Sequence, residues 1–166
     1  MAGNESIGQG AAGVDPQFVH LRVHSAFSLL EGALPLKKII AKAVADEQPA
    51  IGIADTNNLF AALEFSQKAA DDGLQPIIGC QLAIDMEDEA EGERRSHAQQ
   101  LAKLPSIVLI AATDAGYTRL VDLVSRAYLE GEGHQAVRIT RSWLVAGGTD
   151  GLIALTGPAV APSTWR

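Results

Sequence analysis

The side chains able to do chemistry gather in two short strings. They are His20-Leu21-Arg22-Val23-His24-Ser25-Ala26-Phe27-Ser28-Leu29-Leu30-Glu31-Gly32 and Ile53-Ala54-Asp55-Thr56-Asn57-Asn58-Leu59-Phe60. Each admits a plain structural role. A histidine at a strand end, such as His24, more often hydrogen-bonds locally than binds a metal. Asp55-Thr56-Asn57 reads as a turn and a helix cap, because short polar side chains satisfy free backbone N–H groups. Cys80 reads as a small core hydrophobe. A third group, Asp85, Glu87, Asp88, Glu89, Glu91 and Glu93, crowds carboxylates into residues 85–95. It lacks the glycine-centred alternation of a calcium loop. Like charges this dense repel and stay hydrated, so the segment reads as an acidic surface loop.

Other chemistries are excluded by what the chain lacks. It has no phosphate-loop motif, no dinucleotide-binding glycine pattern and no Gly-x-Ser-x-Gly elbow. Aromatic residues make up 5% of the chain, too few for a base-stacking platform. The net charge is −7, from 13 basic and 20 acidic residues, and the tight basic pair Arg94-Arg95 lies among acids. Gripping DNA requires clustered cations that displace counterions from phosphates, so this segment is not expected to hold DNA itself. One cysteine rules out a disulfide framework. The longest apolar runs fall far short of the ~20 residues that span a bilayer. No basic region leads into an apolar core at the N-terminus, and the expected location is cytoplasmic.

The elements that must position these residues follow from periodicity. With 166 residues and 47% hydrophobic content, the chain can bury one substantial core. Residues 1–17 are small, polar and without period, and read as a flexible arm. Phe18 to Val23 alternates as a strand does. Pro35 suits the first turn of a helix whose stripe is Leu36, Ile39, Ile40, Ala43 and Val44. Ala50 to Ala54 is a strand buried on both faces, followed by a helix from about Leu59 that stops at Gly73. Pro76 to Ile84 is a third strand and Ser106 to Ala112 a fourth. Asp114 is expected to cap a helix with stripe Tyr117, Leu120, Val121, Val124, Ala127 and Tyr128. A short helix over 141–145 ends at Gly147-Gly148, and Gly151 to Thr156 is a fifth strand. Alternating strands and helices predict about five parallel strands with outer helices, an α/β fold.

Four blocks give the chain a resemblance to a known family. Beyond the two opening strings they are Glu64-Phe65 through Gly73-Leu74-Gln75-Pro76-Ile77-Ile78-Gly79, and Gly116-Tyr117 with Leu120 leading to Ser125-Arg126-Ala127-Tyr128-Leu129-Glu130-Gly131. In this order and spacing they resemble the PHP (polymerase and histidinol phosphatase) domain that begins the α subunit of bacterial replicative DNA polymerase III. The resemblance implies a distorted TIM-like barrel of about seven β-α units. Residues 18–160 would then be part of such a domain, with the chain stopping inside it, and 161–166 an unassigned tail.

The same resemblance implies a metal site and allows it to be checked residue by residue. Metal-loaded relatives hold two or three ions that activate water on phosphoesters. Here Arg22 stands at a ligand histidine, and a guanidinium has no lone pair to give. Thr56 and Ser106 stand at two further histidines, and Pro158 at a cysteine. Ligand-like residues remain at His24, Asp55 and Glu64. The segment is therefore expected to hold no metal and no cofactor and to be non-catalytic, with Arg22 paired to Asp55 or Glu64 across the old pocket. The intact protein implied is a DNA-directed DNA polymerase using Mg2+ in other domains, which would also carry its DNA and sliding-clamp contacts. This segment would brace the polymerase and dock a proofreading exonuclease subunit, among other replicase subunits. The alternative is an active metal-dependent PHP phosphoesterase or 3′-5′ exonuclease.

Overall fold

The computed structural model describes residues 18–85, 104–130 and 137–155. Within them Leu36–Ala45 forms α1, Ala50–Thr56 β1, Ala62–Asp71 α2 and Gln75–Asp85 β2. Ser106–Ala111 forms β3, Asp114–Leu129 α3, Ile139–Thr140 β4, Arg141–Ala146 α4 and Leu152–Leu155 β5. The expected arm at 1–17, the acidic residues 86–95, Pro158 and the tail at 161–166 lie outside the described residues.

The helices form where apolar periodicity asks for them. α1 follows Pro35 and buries Leu36, Ile39, Ile40 and Ala43, while Val44 stays exposed. α2 ends before Gly73, whose φ of 80° is the left-handed stop that its missing side chain permits. In α3 the expected cap moves by one residue. Thr113 is extended and its hydroxyl accepts from Gly116 N–H at 3.1 Å, so Asp114 is instead the first helical residue. There its carboxylate favours the positive end of the helix dipole. The buried face is Gly116, Leu120, Leu123 and Ala127, leaving Tyr117, Val121 and Tyr128 exposed.

The sheet runs in the order β1-β2-β3-β5, with β4 paired to β2 beyond the end of the β1 contact. β1 and β2 are parallel, in register from Ala50 opposite Gln75 to Thr56 opposite Gln81. β3 runs antiparallel to both β2 and β5, which corrects the uniformly parallel arrangement expected from the sequence. A parallel return needs a crossover unit, commonly a helix. The sequence between β2 and β3 includes the charge-dense residues 86–95.

Two further expectations change. Phe18 to Val23 makes only a single bridge, Val23 opposite Ile53, rather than a strand. It still follows β1 through Gly52 N–H to His20 C=O at 2.6 Å and Ala54 N–H to Val23 C=O at 2.8 Å. Asp85 is not part of a hydrated loop: it closes β2, is 3% exposed, and lies 3.4 Å from Arg138 Nε. A buried carboxylate requires such a partner.

Strand alternation divides the core into two faces. On the helix side Ile51 and Ile53 pack with α1, Phe65 and Leu74. Cys80, Leu82, Ile84, Ile107 and Leu109 pack with Leu120, Leu123 and Ile139 on the same side. The opposite face carries a smaller cluster of Ala54, Val108 and Ile110, joined by Ile77 and Leu155. Gly52 is where the first segment comes closest: a Cβ there would sit 2.7 Å from the Leu21 carbonyl oxygen. Gly52→Ala should therefore lower stability by about 1–3 kcal/mol, the usual cost of overpacking, read from urea denaturation midpoints.

Candidate functional site

The site forms where the carboxyl ends of β1 and β2 meet the loop that follows Val23. That loop closes on itself, with Ala26 N–H donating to Leu34 C=O at 3.2 Å. Gly32 permits the closure, since a Cβ there would fall 1.9 Å from the Ser25 carbonyl oxygen.

Asp55 is the anchor of the loop. Its side chain is 2% exposed and accepts three hydrogen bonds. Ser25 N–H donates to Oδ1 at 2.7 Å, the Ser25 hydroxyl to Oδ2 at 2.7 Å, and the Ser28 hydroxyl to Oδ1 at 2.5 Å. The serines are themselves held: Phe27 N–H donates to Ser25 Oγ at 3.1 Å and Thr56 N–H to Ser28 Oγ at 3.0 Å. His24 Nδ1 lies 3.4 Å from Ser28 Oγ. The Ser28 proton is given to Asp55, so Nδ1 can take part in this contact only as the donor.

Alternation places Asp55 and Thr56 on opposite faces. Asp55 is in register with Cys80, which belongs to the helix-side core. Thr56 is in register with Gln81, and those two join on the other face, Gln81 Nε2 donating to Thr56 Oγ1 at 3.4 Å. Arg22 donates to Gln81 Oε1, and the Thr56 hydroxyl donates to Glu31. Arg22 thus pairs with neither Asp55 nor Glu64, contrary to the sequence expectation. Asp55 is filled by serines on the far side of the strand. Glu64 sits on the exposed face of α2 in an i,i+4 ion pair with Lys68.

The remaining candidates are readily placed. Ser106 opens β3, exposed, opposite Ala83 near the carboxyl end of β2. Asn57, at φ 56°, makes the turn after β1: its N–H donates to Gln81 C=O at 2.8 Å and its Oδ1 accepts from Ala83 N–H at 3.1 Å. The Asp55-Thr56-Asn57 string does not cap α2, whose N-cap Ala61 has no side-chain bond. Asn58 stitches the turn to the loop instead, donating to Thr56 C=O at 2.9 Å and Phe27 C=O at 3.2 Å. The structure brings His24 and Asp55 together through Ser28 and leaves Glu64 apart. Among the described residues, no three His, Cys, Asp or Glu side chains are grouped to hold a metal ion.

This hydrogen-bonded site sits on a mixed sheet with helices packed against one face, and that architecture defines an α/β domain. The chain belongs to the PHP domain family, whose sequence profile matches residues 20–163. It is 40% identical over 146 residues to DNA polymerase III subunit alpha of Caulobacter vibrioides, covering 87% of this chain and 12% of that protein. It is 33% identical over 143 residues to the Vibrio cholerae subunit, covering 86% and 11%, and 38% identical over 143 residues to that of Thermus aquaticus, covering 85% and 11%. The chain thus spans about one-eighth of the length of these relatives. An amidohydrolase from Chromobacterium violaceum is a structural neighbour with a TM-score of 0.46 at 19% identity, over 68% of this chain and 37% of that one. No described helix is long and apolar enough to cross a membrane.

Sequence reasoning missed Ser25, Ser28, Gln81 and Glu31. A signal for the serines was present: two hydroxyls three residues apart beside a strand-end carboxylate form a natural set of donors. Asp55→Ala should cost about 3 kcal/mol, because a buried N–H and two hydroxyls lose their acceptor, with Asp55→Asn costing less; denaturant unfolding reads both.

The Cys80 thiol is also buried. Burial pushes its thiol up to about 12, reinforced by the nearby Asp55 charge and opposed by hydrogen bonding at the Asn58 backbone. The thiol should resist iodoacetamide at pH 8 in the folded protein and react on unfolding. Its folded value lies above its ordinary 9.0, so its contribution to stability is complete below that pH and is lost as pH rises toward 12.

Proposed function

We propose that the chain is the amino-terminal PHP segment of a replicative DNA polymerase III α subunit, a cytoplasmic protein. The intact protein would carry out DNA-directed DNA synthesis, with Mg2+ and DNA held by its other domains. This segment would be a metal-free, non-catalytic scaffold that braces the polymerase and docks the proofreading exonuclease among other replicase subunits. The sliding clamp would be engaged through the rest of the polypeptide.

The identity of 33–40% across about 86% of the chain with α subunits from separate bacteria is what carries the parentage. The scaffold reading is supported by the donor set, which does not fit a cluster of divalent ions. Arg22 has no lone pair, Asp55 spends both oxygens on Ser25 and Ser28, and Glu64 is paired outside with Lys68. His24 adds one imidazole, which is far short of a structural or catalytic set. The net charge of −7 suits a protein-binding module better than a DNA-gripping one.

The test uses the full-length polypeptide. Primer extension should be Mg2+-dependent, and the protein should co-elute with a proofreading exonuclease subunit. Metal analysis should find no stoichiometric zinc or manganese. Phosphatase and 3′-5′ exonuclease activity that disappears with chelator would instead establish the alternative, an active metal-dependent phosphoesterase. Failure to extend primers would remove the polymerase parentage.

A further inference from the structure

We infer that a chain of four side chains stands in for the ions at the mouth of this domain and fastens the 25–34 loop to the sheet. It runs from Arg22 through Gln81 and Thr56 to Glu31, and it deepens the metal-free reading proposed above. Arg22 donates to Gln81 Oε1, Gln81 Nε2 donates to Thr56 Oγ1, and the Thr56 hydroxyl donates to Glu31. Every bond points the same way, from a guanidinium to a carboxylate, so each donor polarises the next and the dipoles reinforce one another. The four residues come from four separate places: the segment bridged to β1, the body of β2, the last residue of β1, and the loop.

Their chemistry explains why these types are needed. An ion cluster would gather carboxylates and imidazoles about positive charge. Here the positive charge is supplied by a guanidinium. Gln81 is 7% exposed, and its amide enters the chain with Oε1 as acceptor and Nε2 as donor. Thr56 accepts with its oxygen and donates with its hydroxyl, which neither valine nor alanine can do. The Asp55 anchor holds the loop from the helix-side face of β1, and the Arg22-to-Glu31 chain holds it from the other. The loop amides of Ala26, Ser28, Glu31 and Gly32 all make backbone hydrogen bonds within this clamp, so they report its opening.

Hydrogen–deuterium exchange on the full-length protein tests the inference. Thr56→Val should speed exchange of amides in 26–34 by about tenfold, and Thr56→Ser, which keeps the hydroxyl, should leave it near wild type. Arg22→Ala, at the exposed end, should speed the same amides to a lesser degree, and it decides the matter if Thr56→Val does not fold. Chelator should leave wild-type exchange unchanged. Unchanged exchange in Arg22→Ala, or in a folded Thr56→Val, overturns the inference alone and leaves the metal-free scaffold standing. Equal acceleration by Thr56→Ser and Thr56→Val also overturns it. Loop exchange accelerated by chelator in the wild type overturns both readings.

Discussion

Everything at the mouth of this domain depends on one buried carboxylate whose two oxygens both accept hydrogen bonds. Taking Asp55 out of water is tolerable only because Ser25 and Ser28 return three donors to it. Those donors come from a loop some thirty residues earlier in the chain, so meeting the electrostatic demand of one side chain fixes the path of a whole segment. His24, Phe27 and Thr56 then attach to the same two hydroxyls. The loop's position is a consequence of burying charge.

The alternation of β1 turns this local fact into a division of labour. Odd positions, Ile51, Ile53 and Asp55, look toward the helices, and Thr56 looks the other way with its register partner Gln81. Neighbouring residues in the sequence thereby serve two side-chain networks on opposite sides of one strand, linked through the Thr56 N–H that donates to Ser28. A carboxylate sits in each network, yet the strand separates them. That separation is why the family's ligand positions, read in a row, overstate how many side chains share one space.

Much of the fold was legible beforehand, and the misses have physical causes. The apolar stripes of α1 and the buried runs of β1, β2 and β3 were plain, because burial on one or two faces leaves a periodic signature. Strand direction was not, because it depends on what connects β2 to β3, and a charge-dense sequence carries no directional code. The pairing of Asp85 with Arg138 was hidden for a different reason: the acids of 85–95 look alike in sequence, and only the strand's length decides that the first of them is buried. In the site, the partner of Arg22 was misassigned. Arg22 was expected to seek a carboxylate directly, but an amide, Gln81, lies within its reach and Asp55 does not face it.

The reversed course of β3 bears on how such domains diversify. In an all-parallel barrel only residues following a strand reach the functional rim. With one strand inverted, a residue preceding a strand arrives there as well, as Ser106 does beside Ala83. The rim can therefore gain or lose a functional group through a change at a strand's beginning, without any alteration to the loops that ordinarily carry innovation.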